Sequence, residues 1–239
     1  MDPQRVLITG VSSGLGYALA TTYLNMGWKV YGTSRRYPDG LQGNPNLYFN
    51  ALDLEDLRYI PNALASLLSH VSKLDLVILN AAVICPIADM KDTRVEELQH
   101  AMKVNVWANK VILDTLFQRE IEVPQVVGIS SGASITGLRG WNGYALSKSS
   151  LNMLMQLYSQ EAPHTHFTAL APGIVDTPLQ DYISSVPDTE KFPTITRLQR
   201  MKANAEMPSA DGVAQKLAHI FPRLLNLPSG SYTDVRKMA

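Results

Sequence analysis

The strongest restriction on this chain is an alternation of two hydrophobic periods. Apolar runs of strand length stand at residues 5–9, 28–33, 47–52, 74–80, 124–130 and 166–171. Several are apolar nearly throughout rather than at every second position, as a strand covered on both faces requires. Segments of helical period separate them, at 15–26 (closed by Gly27), 56–70, 95–117, 144–161 and 211–225. Strands that alternate with helices in this way predict an α/β fold with an open, doubly wound parallel sheet and right-handed crossovers. No repeat, low-complexity block or linker divides the 239 residues, so a single domain is expected over 1–239. The least regular stretch, 177–208, contains Pro178, Pro187, Pro193 and Pro208 and follows a strand end. Its length and place read as a substrate lid, against the plainer reading of a surface excursion.

Composition removes several functions. Lys and Arg total 21 and Asp and Glu total 21, so the formal charge is zero, whereas general nucleic-acid and membrane-surface binders carry a basic excess. The single cysteine, Cys85, excludes an intramolecular disulfide framework and a multi-cysteine zinc site. The five histidines form no ligand-like spacing, and no metal is expected. The most apolar stretch, 76–88, holds Asn80 and Pro86 and is too short to span a bilayer. Asp2 and Pro3 lead straight into a strand-like run, so no signal peptide is expected and a cytoplasmic location follows.

The first strand runs into Thr9-Gly10-Val11-Ser12-Ser13-Gly14-Leu15-Gly16 and then a helix. A doubly wound sheet receives a dinucleotide at such a turn. Gly10 permits the tight turn, Gly14 lets a phosphate approach the backbone, and Gly16 lets helix and strand pack closely. The pyrophosphate then meets the free N–H groups of the helix start, where Ser12, Ser13 and Leu15 also lie. The competing reading is a tight strand-to-helix turn without a ligand. After the second strand the chain reads Thr33-Ser34-Arg35-Arg36, with no acid before Asp39. A carboxylate there would bond a ribose 2′-hydroxyl, whereas guanidinium groups accommodate a 2′-phosphate, so NADP(H) is preferred over NAD(H). Asp53, after the third strand, reads either as an acceptor for the adenine amino group or as a helix cap.

Tyr144 and Lys148 stand four apart and share a helix face; of the ten tyrosines, no other has Lys at that spacing. Reduction of a carbonyl needs a proton donor beside the oxygen. Tyrosine, with an ordinary pKa near ~10, is a weak acid for that task. A neighbouring ammonium stabilises the phenolate and is expected to draw that value down. Ser131, thirteen positions before Tyr144 at a strand end, can hold the substrate oxygen, and Ser130 beside it competes for the role.

The glycine loop, Asn80-Ala81-Ala82, Asn105, Ser131, Tyr144 with Lys148, and Pro172-Gly173-Ile174-Val175-Asp176-Thr177 occur in the order of the short-chain dehydrogenase/reductase family, which the chain resembles from residue 5 to about 178. The resemblance implies a Rossmann-like fold, Tyr144 as general acid/base, and Lys148 as its partner and a ligand of the nicotinamide ribose. It implies that Ser131, rather than Ser130, orients substrate and that Asn105 completes a water-linked proton relay. Leu54, Asn80, Ala81, Pro172, Gly173, Val175 and Thr177 are implied cofactor contacts. Ala82 departs from the usual glycine, and Ser13 stands where NADP(H) members often carry Lys or Arg. Residues 139–148 and 171–180 are similar to sepiapterin reductases and bacterial benzil reductases. That likeness favours NADPH-dependent reduction of a vicinal diketone or aromatic ketone, with Trp141 walling the pocket. By the same resemblance a homodimer or homotetramer is expected, and Met153, Leu154 and Met155 read as core or subunit interface. The alternatives are an alcohol or hydroxysteroid dehydrogenase working oxidatively, opposed by Arg35, and a nucleotide-binding sensor without turnover, opposed by the presence of both Tyr144 and Lys148.

Overall fold

The computed structural model describes residues 3–187 and 189–238. Asp2, on which the leader expectation leans, and Asp188, inside the 177–208 stretch, lie outside the described residues. The strands are β1 (Arg5–Thr9), β2 (Lys29–Ser34), β3 (Leu47–Ala51), β4 (Leu76–Leu79), β5 (Gln125–Ile129), β6 (His166–Ala171) and β7 (Ser231–Asp234). They form one seven-stranded sheet in the order β3-β2-β1-β4-β5-β6-β7. Every neighbouring pair is parallel, with Val6 opposite Val30 on one side and Leu76 on the other. The fold is the Rossmann-like doubly wound sheet that the alternation predicts.

Both faces are covered, which explains the uninterrupted apolar runs. Val6, Ile8, Val30, Ile78 and Val127 pack beneath α1 (Gly14–Asn25) and α8 (Ala210–Leu224). Leu7, Tyr31, Val77, Val126 and Phe167 face the other way, toward α2 (Ile60–Leu67), α4 (Ala108–Gln118) and α5 (Asn142–Glu161). Consecutive strand residues thus feed opposite cores, the two-residue period of a pleated strand.

Four features depart from the sequence expectation. The helix expected over 95–117 is two helices, α3 (Val95–Met102) and α4, joined by a π turn at Lys103–Trp107. The helix expected from 56 starts only at Ile60 and ends at Leu67. β7 was not anticipated: Ser231-Tyr232-Thr233-Asp234 is short and polar, an edge strand held by β6. The irregular stretch 177–208 is largely helical, with α6 (Pro178–Ser184) and α7 (Pro193–Ala203). Pro178 and Pro193 open those helices, at the position where a missing N–H costs nothing and a fixed φ is already helical. Trp141, Ile183, Phe192, Ile195, Leu198 and Met207 form a third, separate apolar cluster around them.

The chain crosses itself most tightly where β1 enters α1. Gly10 has φ +80° and Gly14 φ +56°, both left-handed. A methyl group on Gly16 would strike the Gly10 carbonyl and the Asn80 amide. Asn80 Nδ2 donates to the Thr9 carbonyl at 2.9 Å, and Thr9 Oγ1 accepts the backbone N–H groups of Asn80 and Ala81 at 2.9 and 3.0 Å. Gly16→Ala should therefore destabilise the protein by at least about 1–3 kcal/mol, the usual penalty of overpacking, read as a lowered urea midpoint. An unchanged midpoint would contradict the tight crossing.

Candidate active site

The strand order reverses direction between β1 and β4, and the carboxyl ends of the strands open there into a cavity of about 930 Å³. Such a crevice is where open α/β sheets bind ligands. Gly10, Ser12, Ser13, Gly14, Leu15 and Gly16 line one end. Ser13 makes no side-chain cap on α1, so the first N–H groups of that helix stay available to an anion. Arg35, Asp53 and Leu54 follow along the wall, then Asn80 and Ala81, and across from them Pro172, Gly173, Val175 and Thr177. Ser131, Trp141, Tyr144 and Lys148 line the far end. Of the residues expected to act in catalysis or to contact cofactor or substrate, only Arg36 and Asn105 do not line the cavity. Arg36 is exposed, and its carbonyl accepts Ser34 Oγ–H at 2.7 Å. Asp53 Oδ1 accepts the Glu55 N–H at 3.0 Å, a local turn rather than the cap of α2.

Asn105 is fully buried in the π turn and ties two site elements together. Its Oδ1 accepts the Val83 N–H at 2.8 Å, and its Nδ2 donates to the Val83 carbonyl and to Ser147 Oγ, each at 2.9 Å. Ser147 Oγ donates to the Tyr144 carbonyl at 2.8 Å, so the loop after β4 is coupled to the start of α5. The Asn105 carbonyl accepts Asn109 Nδ2 at 2.8 Å. π turns commonly mark functional positions, because they displace one side chain from the regular helical ladder.

The two neighbouring serines separate cleanly. Ser130 is 2% exposed and its hydroxyl is committed to Asn152 Oδ1 at 2.5 Å. Ser131 Oγ accepts the Ala133 N–H at 3.1 Å, and its hydroxyl also meets the Tyr144 phenol. Cys85 is buried against Gly143 and donates to the Glu97 carbonyl, and burial raises its thiol, so it is an inert packing group. Met155 and Leu154 are buried, whereas Met153 is exposed.

The 177–208 stretch, read from its length and place as a lid, supplies Gln180, Thr194, Arg197 and Leu198 to the wall, residues not named one by one because the helices that carry them were unforeseen. Asp234 at the end of β7 and Arg236 in the turn after it were missed; they line the cavity and pair bidentately at 2.8 and 2.6 Å. A strand as polar as β7 gives no signal.

The expected effect of Lys148 on Tyr144 is overridden by burial. Tyr144 is pushed up to about 12, chiefly by desolvation, with the Ser131 hydroxyl pulling the other way. Lys148 Nζ sits 5.7 Å from the Tyr144 ring centre and donates to the Ile129 carbonyl at 2.7 Å. Desolvation brings Lys148 down to about 8. The site therefore keeps the phenol protonated and makes the ammonium easy to discharge.

The family description "short chain dehydrogenase" matches residues 4–187. The chain belongs to that family. As a short chain dehydrogenase it is an oxidoreductase acting on carbonyl or hydroxyl groups, and its cofactor is NAD(P)(H). It is 29% identical over 231 residues to benzil reductase ((S)-benzoin forming) of Bacillus cereus, covering 90% of this chain and 92% of that one. Sepiapterin reductase of Meriones unguiculatus is 32% identical over 110 residues, 46% of this chain and 40% of that one. A short chain dehydrogenase/reductase structure from Saccharomyces cerevisiae superposes with TM-score 0.86 at 21% identity, over 97% of this chain and 96% of that one, and shares the fold. The glycine cradle and uncapped α1 start fit a dinucleotide. Among the described residues, no group of three or more His, Cys, Asp or Glu is placed to hold a metal, and no helix is long and apolar enough to cross a membrane.

The lowered Lys148 value has a consequence for stability. Between about 8 and 10.5 the unfolded chain holds a proton that the folded protein has released, so stability rises with pH across that window. Below about 8 the buried charge costs on the order of 3 kcal/mol. In the cofactor-free protein, Lys148→Met should melt above the parent at pH 7 and lose that advantage as the pH climbs to 10. A melting difference that stays constant over this range would count against the desolvated ammonium.

Proposed function

We propose that the protein is an NADPH-dependent carbonyl reductase for vicinal diketones or aromatic ketones. The observation that carries this reading is the convergence of Ser131, Tyr144 and Lys148 on one end of a cavity whose other end is the glycine cradle and Arg35. Arg35, immediately after β2, is suited to a 2′-phosphate, with Arg36 contributing charge from outside the wall. Asp53 and Leu54 are proposed to flank the adenine, Asn80, Ala81 and Pro172 the ribose and ring faces, and Gly173, Val175 and Thr177 the nicotinamide amide.

When bound, the reduced nicotinamide supplies the hydride. The Ser131 hydroxyl, whose oxygen accepts the Ala133 N–H, turns its proton from the Tyr144 phenol to the substrate oxygen when substrate enters. Tyr144, held protonated by burial, gives its proton to that same oxygen as negative charge develops. Lys148 stabilises the resulting phenolate and returns a proton, which its value of about 8 makes inexpensive near neutrality. Asn105 is proposed to complete a water-linked relay to solvent.

Support for the substrate class comes from the wall and the relatives. Ile84, Leu138, Trp141, Leu179 and Leu198 give this end an apolar and aromatic surface. The Bacillus cereus relative carries benzil, a vicinal aromatic diketone, in its name. The α6–α7 segment is proposed as the lid, since it supplies Leu179 and Leu198 and packs on Trp141. A homodimer or homotetramer is proposed through α4 and α5. Leu146, Met153 and Leu157 form an exposed apolar row on α5, with Trp107 exposed beside the start of α4.

NADPH oxidation in a panel of benzil, other diketones, quinones and aromatic ketones tests the activity. Tyr144→Phe should lower kcat on the best substrate by about 10²–10⁴-fold while NADPH binding persists; full turnover in that variant would refute the mechanism. Arg35→Ala should raise KM for NADPH by about 10- to 100-fold, the worth of a charge-assisted hydrogen bond, and leave KM for NADH unchanged. Equal or tighter binding of NADH by the parent enzyme would overturn the cofactor assignment.

A further inference from the structure

The end of β5 and one face of α5 meet residue by residue. Tyr144, Lys148 and Asn152 follow each other at four-residue spacing and share that face. Lys148 holds the Ile129 carbonyl, Tyr144 meets the Ser131 hydroxyl, and Asn152 takes the residue between them, Ser130. Asn152 also reaches onward. Its Nδ2 donates to Ser134 Oγ at 2.9 Å, and Ser134 Oγ donates to the Ser131 carbonyl at 2.6 Å.

The polarity of this chain is fixed by its members. Ser134 Oγ donates to the Ser131 carbonyl and accepts from Asn152 Nδ2, with the Tyr232 phenol also beside its hydroxyl, so the amide nitrogen of Asn152 faces Ser134 and the amide oxygen faces Ser130. The tight turn Gly132–Ser134 that follows Ser131 is thus held at both ends. Tyr232 Oη, 3.5 Å from the Ser131 carbonyl, closes the same corner from β7.

We propose that Asn152 is a positioning residue that holds the Ser131 hydroxyl at the reacting oxygen. The inference rests on the reading of Ser131 and Tyr144 as reacting groups. A hydroxyl that stabilises a developing oxyanion works only within a few tenths of an ångström of its place, and Ser131 caps a single three-residue turn, whose backbone bonds Ala133 N–H to its Oγ and Ser134 N–H to its carbonyl but leave the turn itself to be anchored. Ser130 Oγ–H and Asn152 Oδ1 anchor the strand end; Asn152 Nδ2, through Ser134, anchors the turn. An Asn, with one donor group and one acceptor, can do both, whereas an ionised Asp can do only the first.

The test is steady-state kinetics of the full-length enzyme with NADPH and the ketone it turns over best. Asn152→Asp keeps the acceptor for Ser130, and its carboxylate draws the Ser134 proton off the Ser131 carbonyl. It should lower kcat by about 10-fold with KM for NADPH within about twofold of the parent, and Ser134→Ala, a smaller deletion, should match it. Ser131→Ala should lose more, about 10²-fold, and adding Asn152→Asp to it should cost less than about twofold further, because the group being positioned is already gone. Multiplying losses in the double variant, a parent-like kcat in Asn152→Asp and Ser134→Ala, or a KM for NADPH rising in step with the fall in kcat would each overturn the inference. An unchanged kcat in Ser131→Ala would bring down the underlying reading and this inference with it, whereas a large loss there combined with multiplying effects removes this inference alone.

Discussion

The crossing of β1, α1 and β4 at Gly10, Gly16 and Asn80 is the contact on which the remaining architecture depends. It brings a helix start against a strand end with no room for a side chain between them. Asn80 and Thr9 then bond β4 to β1 at the point where the sheet changes direction. Because that crossing leaves the α1 N–H groups uncapped beside the crevice, the demand for close packing and the demand for an anion site are met by the same glycines. Everything else at the carboxyl edge, from Arg35 to Thr177, is arranged around this fixed corner.

The opposite end of the cavity follows a different logic. Lys148 is 2% exposed and has one hydrogen bond to a backbone carbonyl, an arrangement that a protein optimised only for stability would avoid. Tyr144 beside it is also destabilised in its charged form. Two groups whose ionisation is opposed by burial, in opposite senses of charge, stand one helical turn apart. Perturbation of this kind concentrates at sites where protons move, and here the glycine corner and two apolar cores supply the rigidity that tolerates it.

What could be read from the sequence was what local pattern determines. The interior strands were legible because burial on both faces leaves an apolar signature at nearly every position, the edge strand β3 because of its Leu47-Tyr48-Phe49 run, and the first loop because its glycines stand between strand and helix. Tyr144 and Lys148 were legible through spacing. The misses have definite causes. β7 is a polar edge strand that borrows its ladder from β6, so its own residues carry no pattern. Pro178 and Pro193, which make the 177–208 stretch look irregular, are helix openers, since a proline's meaning depends on which side of a boundary it stands. The π turn around Asn105 is set by bonds to Val83 and Ser147, 22 and 42 residues away in the chain. Asn152 shows the same limit: its spacing from Lys148 is visible, but its partners are fixed only when α5 docks on β5. The lowering of the Tyr144 value expected from Lys148 failed because spacing reveals proximity and says nothing of desolvation.

The cluster of Trp141, Ile183, Phe192, Ile195, Leu198 and Met207 is distinct from the two cores that clamp the sheet. Distant, unshared contacts behave additively, so a substitution in this cluster leaves the energetics of the sheet largely untouched. The cluster that shapes one wall of the cavity thus adds its own packing to the fold. Substitution there reshapes that wall and is felt at Tyr144, which packs against the cluster with its ring centre 5.8 Å from that of Trp141.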